Sequence, residues 1–149
     1  MAGVISSIRS ADVQDIHRLV AMGARFVASS SYRGRMANDA VAQERLMRWL
    51  IDNEAGALFV AEQCGRVTGM IGVAAYMHPW AGEWIAGELF WWVEPEARGP
   101  GLALLRCAER WAKAKGCVRM QMIAPNERVG RAYEALGYAE LETSYQKDL

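Results

Sequence analysis

The sequence predicts an α/β domain in which helices flank a mixed sheet, and three observations lead there. Its 149 residues fall near the common size of one domain, so residues 1–149 are read as a single unit. A hydrophobic share of 52% supplies enough apolar material for a packed core. The periodicities run strand, helix, helix, three strands, helix, strand, helix, strand, which is neither a repeat array nor a strict alternation of parallel units.

Val4 to Arg9 is short and rich in β-formers, and a helix follows on Ile16, Leu19, Val20, Gly23 and Val27. Asp12 is placed to cap that helix, with Asp15 in its positive first turn. Small and polar residues from Ser29 to Arg35 break the period. Asn38 or Asp39 then caps a second helix carrying Ala42, Leu46, Trp49 and Leu50, and Gly56 stands after its end, where a left-handed residue often stops a helix. Ala57–Glu62 and Val67–Tyr76, joined by a turn at Cys64-Gly65, read as an antiparallel hairpin. Trp84 to Val93 is the next strand, ended by Pro95. From Gly101 to Lys115 the period is helical again, with Leu104, Leu105, Ala108, Trp111 and Ala112 inward. Arg119–Ile123 alternates as a strand, Asn126 caps a helix whose one face carries Val129, Ala132, Tyr133 and Leu136, and Tyr138–Lys147 supplies a last strand or hairpin.

Charge and cysteine content narrow the function. Seventeen basic side chains balance seventeen acidic ones, so nothing draws the chain as a whole to nucleic acid or an anionic membrane. Cys64, Cys107 and Cys117 are odd in number and widely spaced, which fits neither a disulfide framework nor a zinc site. With no signal-peptide pattern and no long apolar run, a soluble cytoplasmic chain without a metal is expected.

The chemistry-bearing stretch is Glu88 to Ala103. A strand feeds a glycine-bearing turn, Arg98-Gly99-Pro100-Gly101, that opens directly into a helix. This aims unpaired N–H groups and the positive end of the helix dipole at one point, an anion site by construction. Gly99 and Gly101 let a phosphate approach the backbone, and Pro100 suits the first helical position. Taken alone, the same residues are an ordinary strand-to-helix turn. Two familiar phosphate motifs do not fit: a P-loop needs Gly-Lys-Ser/Thr where Gly101 precedes Leu102, and the dinucleotide fingerprint needs a small residue where Leu104 stands.

The segment resembles the GNAT superfamily of N-acetyltransferases. Arg98-Gly99-Pro100-Gly101-Leu102-Ala103 matches the family pattern Arg/Gln-x-x-Gly-x-Gly/Ala at all three fixed positions. Asn126 followed by Tyr133 and by Gly137-Tyr138 matches a second family element. The resemblance covers roughly Ile5 to Lys147. It implies a central, mostly antiparallel sheet of six to seven strands with a splayed fourth strand, flanked by about four helices. It also implies acetyl-CoA as donor and direct attack by a primary amine in a ternary complex.

The same resemblance implies roles for residues. Arg98, Gly99, Pro100, Gly101, Leu102 and Ala103 would hold the diphosphate, with Asn126 also meeting the cofactor. Backbone groups of Trp92 and Val93 would pair with the pantetheine arm where the fourth strand parts from its neighbour at a bulge. Pro100 departs from the many members that carry a basic or polar residue there, and it removes one donor from the cradle. Tyr133 matches the acid that protonates the departing thiolate, although its spacing alone would make it a core aromatic. Glu88, read as sharing a strand face with Phe90 and Trp92, is the candidate base because burial among aromatics raises a carboxyl pKa; Glu83, His78 or a water chain are the alternatives. The resemblance also implies acceptor recognition by the loop and helices after the first strand and by the loop before the fourth strand, hence by Tyr32, Trp80 and Trp84, with Arg33 and Arg35 suited to an anionic group.

Three functions therefore stand: an N-acetyltransferase for a small-molecule amine, one for a protein N-terminus or lysine, and a non-catalytic acyl-CoA-binding module. A homodimer follows only by analogy with the family.

Overall fold

The computed structural model describes residues 6–97 and 99–149; the expectations for Val4, Ile5 and Arg98 lie outside them. In chain order the elements are β1 (Ser7–Ser10), α1 (Ile16–Ser29), α2 (Ala40–Asp52), β2 (Gly56–Gln63), β3 (Arg66–Met77), β4 (Trp84–Val93), α3 (Pro100–Ala114), β5 (Arg119–Gln121) and α4 (Glu127–Ala135). The sheet runs β1-β2-β3-β4-β5. Its first three pairings are antiparallel and β4–β5 is parallel. This is the mixed, mostly antiparallel α+β arrangement expected.

Both faces of the sheet are covered, which is why β2 is buried along six consecutive residues, Gly56 to Ala61. Alternation divides its side chains. Leu58 and Val60 join Ile16, Leu19, Met22, Met47 and Leu50 under α1 and α2. Ala57, Phe59 and Ala61 join Leu104, Leu105 and Ala108 of α3 on the opposite face.

Local chemistry starts and stops these elements as the sequence indicates. Asp12 accepts from the Gln14 amide while Asp15 answers the Asp12 amide at 2.9 Å, a reciprocal cap on the 3-10 turn that leads into α1. Asp39 caps α2 through Val41 and Ala42. Cys64 and Gly65 both hold positive φ (51° and 73°), so their two-residue turn matches the twist of the β2–β3 hairpin.

Three expectations need correction. The sheet has five strands among the described residues, fewer than six to seven, because Tyr138–Lys147 joins no ladder. That segment forms no regular element and is exposed beyond the half-buried Tyr138; the Tyr138 amide donates to the Tyr133 carbonyl and Gln146 Nε2 donates to Arg35 O at 3.3 Å. Alternating Leu141, Thr143 and Tyr145 give it the period of a strand, but a strand also needs a partner edge. The strand read to Ile123 ends at Gln121, for a reason given below. Gly56 is the first residue of β2 and is not left-handed; a Cβ there would lie 2.9 Å from Leu50 Cα, so close approach to α2 is what requires glycine.

Candidate active site

The site begins with one irregularity in β4. Val73 of β3 faces Glu88 and Gly72 faces Phe90, which leaves Leu89 as an extra residue. Such a bulge exchanges the faces of the residues on either side of it. Glu88 therefore shares the α3 face with Trp91, opposite Val73 and Ile71. Phe90 and Trp92 point to the α1–α2 face. The expected grouping of Glu88 with Phe90 and Trp92 is thus corrected: simple alternation along the strand cannot register an extra residue.

Beyond the bulge β4 and β5 diverge. Only Ile85–Gly87 pairs with Arg119–Gln121, so Glu88 to Val93 has no strand on that side among the described residues. Glu88 stands at the point of the fork. Its carboxylate accepts the Ile123 amide at 3.0 Å, taking a donor that a longer β5 would spend on the ladder. The Tyr133 hydroxyl, carried by α4, donates to the Ile123 carbonyl at 3.4 Å. The ring of Tyr133 stacks on Trp91, with centroids 6.1 Å apart and planes 20° from parallel.

Burial sets the protonation states here. It raises the Glu88 pKa above the ordinary carboxyl value, and the Ile123 amide offsets only part of this. Burial, and then the Glu88 charge, push the Tyr133 phenol well above its usual range. A carboxyl group drawn upward from below neutrality lies beside a phenol that stays protonated, which is the separation that acid–base work needs.

At the far end of the open edge the chain turns into α3. Gly99, at φ 95°, is its N-cap and provides no side-chain cap; Pro100 follows as the first helical residue. The first amides of the helix, at Gly101 and Leu102, have no carbonyl one turn earlier in the helix to bind. Around Gly99 nothing would meet a Cβ within 4 Å, and at Gly101 a Cβ would find Trp91 at 3.5 Å and Val93 at 3.7 Å. Among the described residues the buried Trp91 indole N–H has no hydrogen-bond partner. Open space, uncapped amides and an orphaned donor beside an unpaired strand edge fit a long ligand with a diphosphate. Asn126 caps α4, accepting from Val129 at 3.1 Å.

The acceptor residues are not gathered in one place. Tyr32 packs on Phe26 (6.1 Å), which packs on Trp92 (6.2 Å), so it belongs to the α1 side of the open edge. Trp84 begins β4, eight residues before Trp92, or roughly 26 Å away at about 3.3 Å per residue. Trp80 is 94% exposed at the tip of the β3–β4 connection. His78 holds that tip by accepting the Trp80 and Ala81 amides at 3.3 Å each. Glu83 is ion-paired with Arg119 on the surface. Neither His78 nor Glu83 stands at the fork as Glu88 does.

Two residues of this region escaped the sequence reading. Trp91 was hidden by the bulge. Glu94 is 2% exposed and binds Arg18 and Arg25; the signal for it was two arginines seven residues apart, on one face of α1.

The chain belongs to the acetyltransferase (GNAT) family, which matches residues 27–138. That membership makes it an acyltransferase, with acetyl-CoA as the family's co-substrate. Solved structures agree on the fold. A transcriptional regulator from Bacillus halodurans C-125 is similar with TM-score 0.79 and 24% identity, over 97% of this chain and 100% of that one. The aminoglycoside N-acetyltransferase AAC(6')-Iy in complex with CoA gives 0.78 at 18% identity, over 99% and 96%. A predicted acetyltransferase with acetyl-CoA from Clostridium acetobutylicum gives 0.74 at 19% identity, over 97% and 96%. No curated protein matches the sequence.

Proposed function

We propose that the chain moves an acetyl group from acetyl-CoA to the primary amine of a small molecule, by direct attack in a ternary complex. The observation that carries this reading is the fork: Glu88 and Tyr133 bind the same residue, Ile123, where β4 loses its neighbour. In this reading Gly99, Gly101, Leu102 and Ala103, with Arg98, cradle the diphosphate. Pro100 fixes the turn, and the edge of Trp92 and Val93 receives the pantetheine arm. Asn126 meets the cofactor from the start of α4.

Glu88 takes a proton from the ammonium form of the acceptor, directly or through water, and the freed nitrogen attacks the thioester carbonyl carbon. As the C–S bond breaks, the nitrogen gives up its second proton to water and Tyr133 gives its own to the thiolate sulfur. The phenolate left behind is a stronger base than a thiolate whose thiol has a pKa of about 8.5, so it regains its proton from solvent without difficulty. Charge developing on the carbonyl oxygen meets a backbone N–H of the open β4 edge.

A small-molecule acceptor is supported by the aminoglycoside acetyltransferases among the structural neighbours and by the wall of Tyr32, Phe26 and Trp92. Arg33 and Arg35 lie in the same loop as Tyr32 and suit an acceptor with an anionic group. Trp80 and Trp84 stand apart from this wall and would touch only an extended acceptor. The test is release of free thiol from acetyl-CoA across a panel of amino acids, polyamines, aminoglycosides and peptides. Turnover with small amines supports the reading, turnover confined to peptides replaces the acceptor class, and CoA binding without any turnover leaves a binding module.

A further inference from the structure

We infer that Glu94 is a positioning residue: its buried carboxylate fixes the turn that carries β4 into α3, and thereby the geometry in which the diphosphate of coenzyme A is held. The inference rests on the α3 opening being the cofactor site. Among the described residues Glu94 is the one charged side chain in the buried class, at 2% exposure. Arg25 Nε donates to both carboxylate oxygens, at 3.0 and 3.1 Å, and Arg25 Nη2 also pairs with Oε1. Arg18 Nη2 adds a bond at 3.1 Å and the Trp92 indole another at 3.2 Å.

The backbone of Glu94 is equally committed. Its amide donates to Thr68 O at 2.8 Å and its carbonyl accepts from Ala97 at 2.9 Å, closing the turn Glu94-Pro95-Glu96-Ala97 just ahead of the Gly99 cap. Arg18 Nε also binds Val67 O at 3.2 Å, so α1, β3 and the turn meet at this one carboxylate. An apolar cluster of similar volume would stabilise such a junction at least as well as a buried ion cluster. What the carboxylate supplies is direction, because the planar guanidinium of Arg25 accepts only one orientation of the group.

Charge and position make opposite predictions. Glu94→Gln removes a negative charge beside Arg18 and Arg25, with Arg66 acting on Arg18 from nearby. The field near the α3 opening becomes more positive, and electrostatics alone would tighten binding of the anionic cofactor. Loss of position would loosen it. Arg25→Lys keeps the charge and loses the two-pronged contact, so it separates the same effects.

The experiment is calorimetric titration of the full chain and both variants with CoA at one ionic strength, with the melting temperature of each recorded. Wild type is expected to bind, and Glu94→Gln and Arg25→Lys to bind about tenfold more weakly while still folded, the usual scale for loss of a supporting contact. A folded Glu94→Gln that binds CoA as tightly as wild type, or more tightly, overturns the inference. If Glu94→Gln does not fold, Arg25→Lys decides, its side chain being 44% exposed; unchanged affinity there overturns it equally. Absence of CoA binding by wild type instead overturns the cofactor-site reading on which it rests.

Discussion

Glu88 and Tyr133 hold Ile123 from two sides: the carboxylate accepts its amide at 3.0 Å and the phenol donates to its carbonyl at 3.4 Å. The first is a normal hydrogen bond and the second is near the limit for an O–H donor. The phenolic hydroxyl is thus weakly hydrogen-bonded, although burial keeps it protonated, and it can turn toward another acceptor. The carboxylate, in contrast, fixes the residue at which β5 leaves β4. One contact shapes the fork and the other leaves a proton available within it.

The pH dependence of the reaction follows from Glu88. A base must be deprotonated to act, and burial raises its pKa, so kcat/KM should fall as pH drops through that raised value. Glu88→Gln keeps an oxygen for the Ile123 amide but removes the titrating group. Its activity is expected to be lower by 10²- to 10⁴-fold, roughly the usual worth of a general base, and its acidic limb should vanish. A full pH–rate profile of both proteins checks this; an unchanged acidic limb in the variant assigns the base elsewhere.

Tyr133→Phe isolates the acid. The stacking on Trp91 survives and only the hydroxyl is lost. The expected result is a fall in kcat of about 10²-fold with CoA affinity within twofold of wild type, the latter reflecting retained packing. Full turnover with a substrate whose chemical step limits the rate would pass the role of acid to water.

These two residues illustrate what the sequence could convey. Tyr133 and the α3 opening could be singled out because each match lies within one short stretch: a glycine-bearing turn that opens a helix, and a phenol seven residues, about two turns, after the Asn126 cap. Glu88 was legible as a residue but not as a direction, since the Leu89 bulge reverses a face without marking the alternation. The Glu94 cluster joins α1 to the end of β4; the spacing of Arg18 and Arg25 marks one side of it, but no local pattern names the carboxylate they meet in an element so distant in the chain. The missing final strands are of the same kind: alternation in Leu141, Thr143 and Tyr145 was real, but pairing is decided by a partner edge.

Gly101 offers a test that separates charge from space at the cofactor cradle. Its Cβ position has ordinary contacts with Trp91 and Val93, so Gly101→Ala should fold and bind CoA within a few-fold of wild type. Gly101→Asp places a negative charge where the helix opening favours an anion. Binding should weaken by about 10²-fold or more, the effect of a like-charge contact worth several kcal/mol. Calorimetry on the pair decides: equal affinity of the aspartate and alanine variants removes the diphosphate from this turn.

Acid stability should be governed by two carboxylates, one buried and one half-buried, with opposite signs. At Glu94 burial raises the pKa, but Arg25, Trp92 and Arg18 together outweigh it and hold the value below the ordinary range. A depressed folded-state pKa contributes stability that is present above the unfolded value of about 4.3 and is lost as pH falls toward the folded one. Glu88 runs the other way. Its raised pKa means that the folded chain takes up a proton before the unfolded chain does, so acidification through that range relieves a penalty. Melting temperatures measured from pH 7 down to pH 3 should therefore fall more steeply for Glu88→Gln than for wild type as its compensating proton uptake is lost, and less steeply for a folded Glu94→Gln. Parallel curves for all three proteins would show that neither carboxylate titrates differently in the folded and unfolded chain.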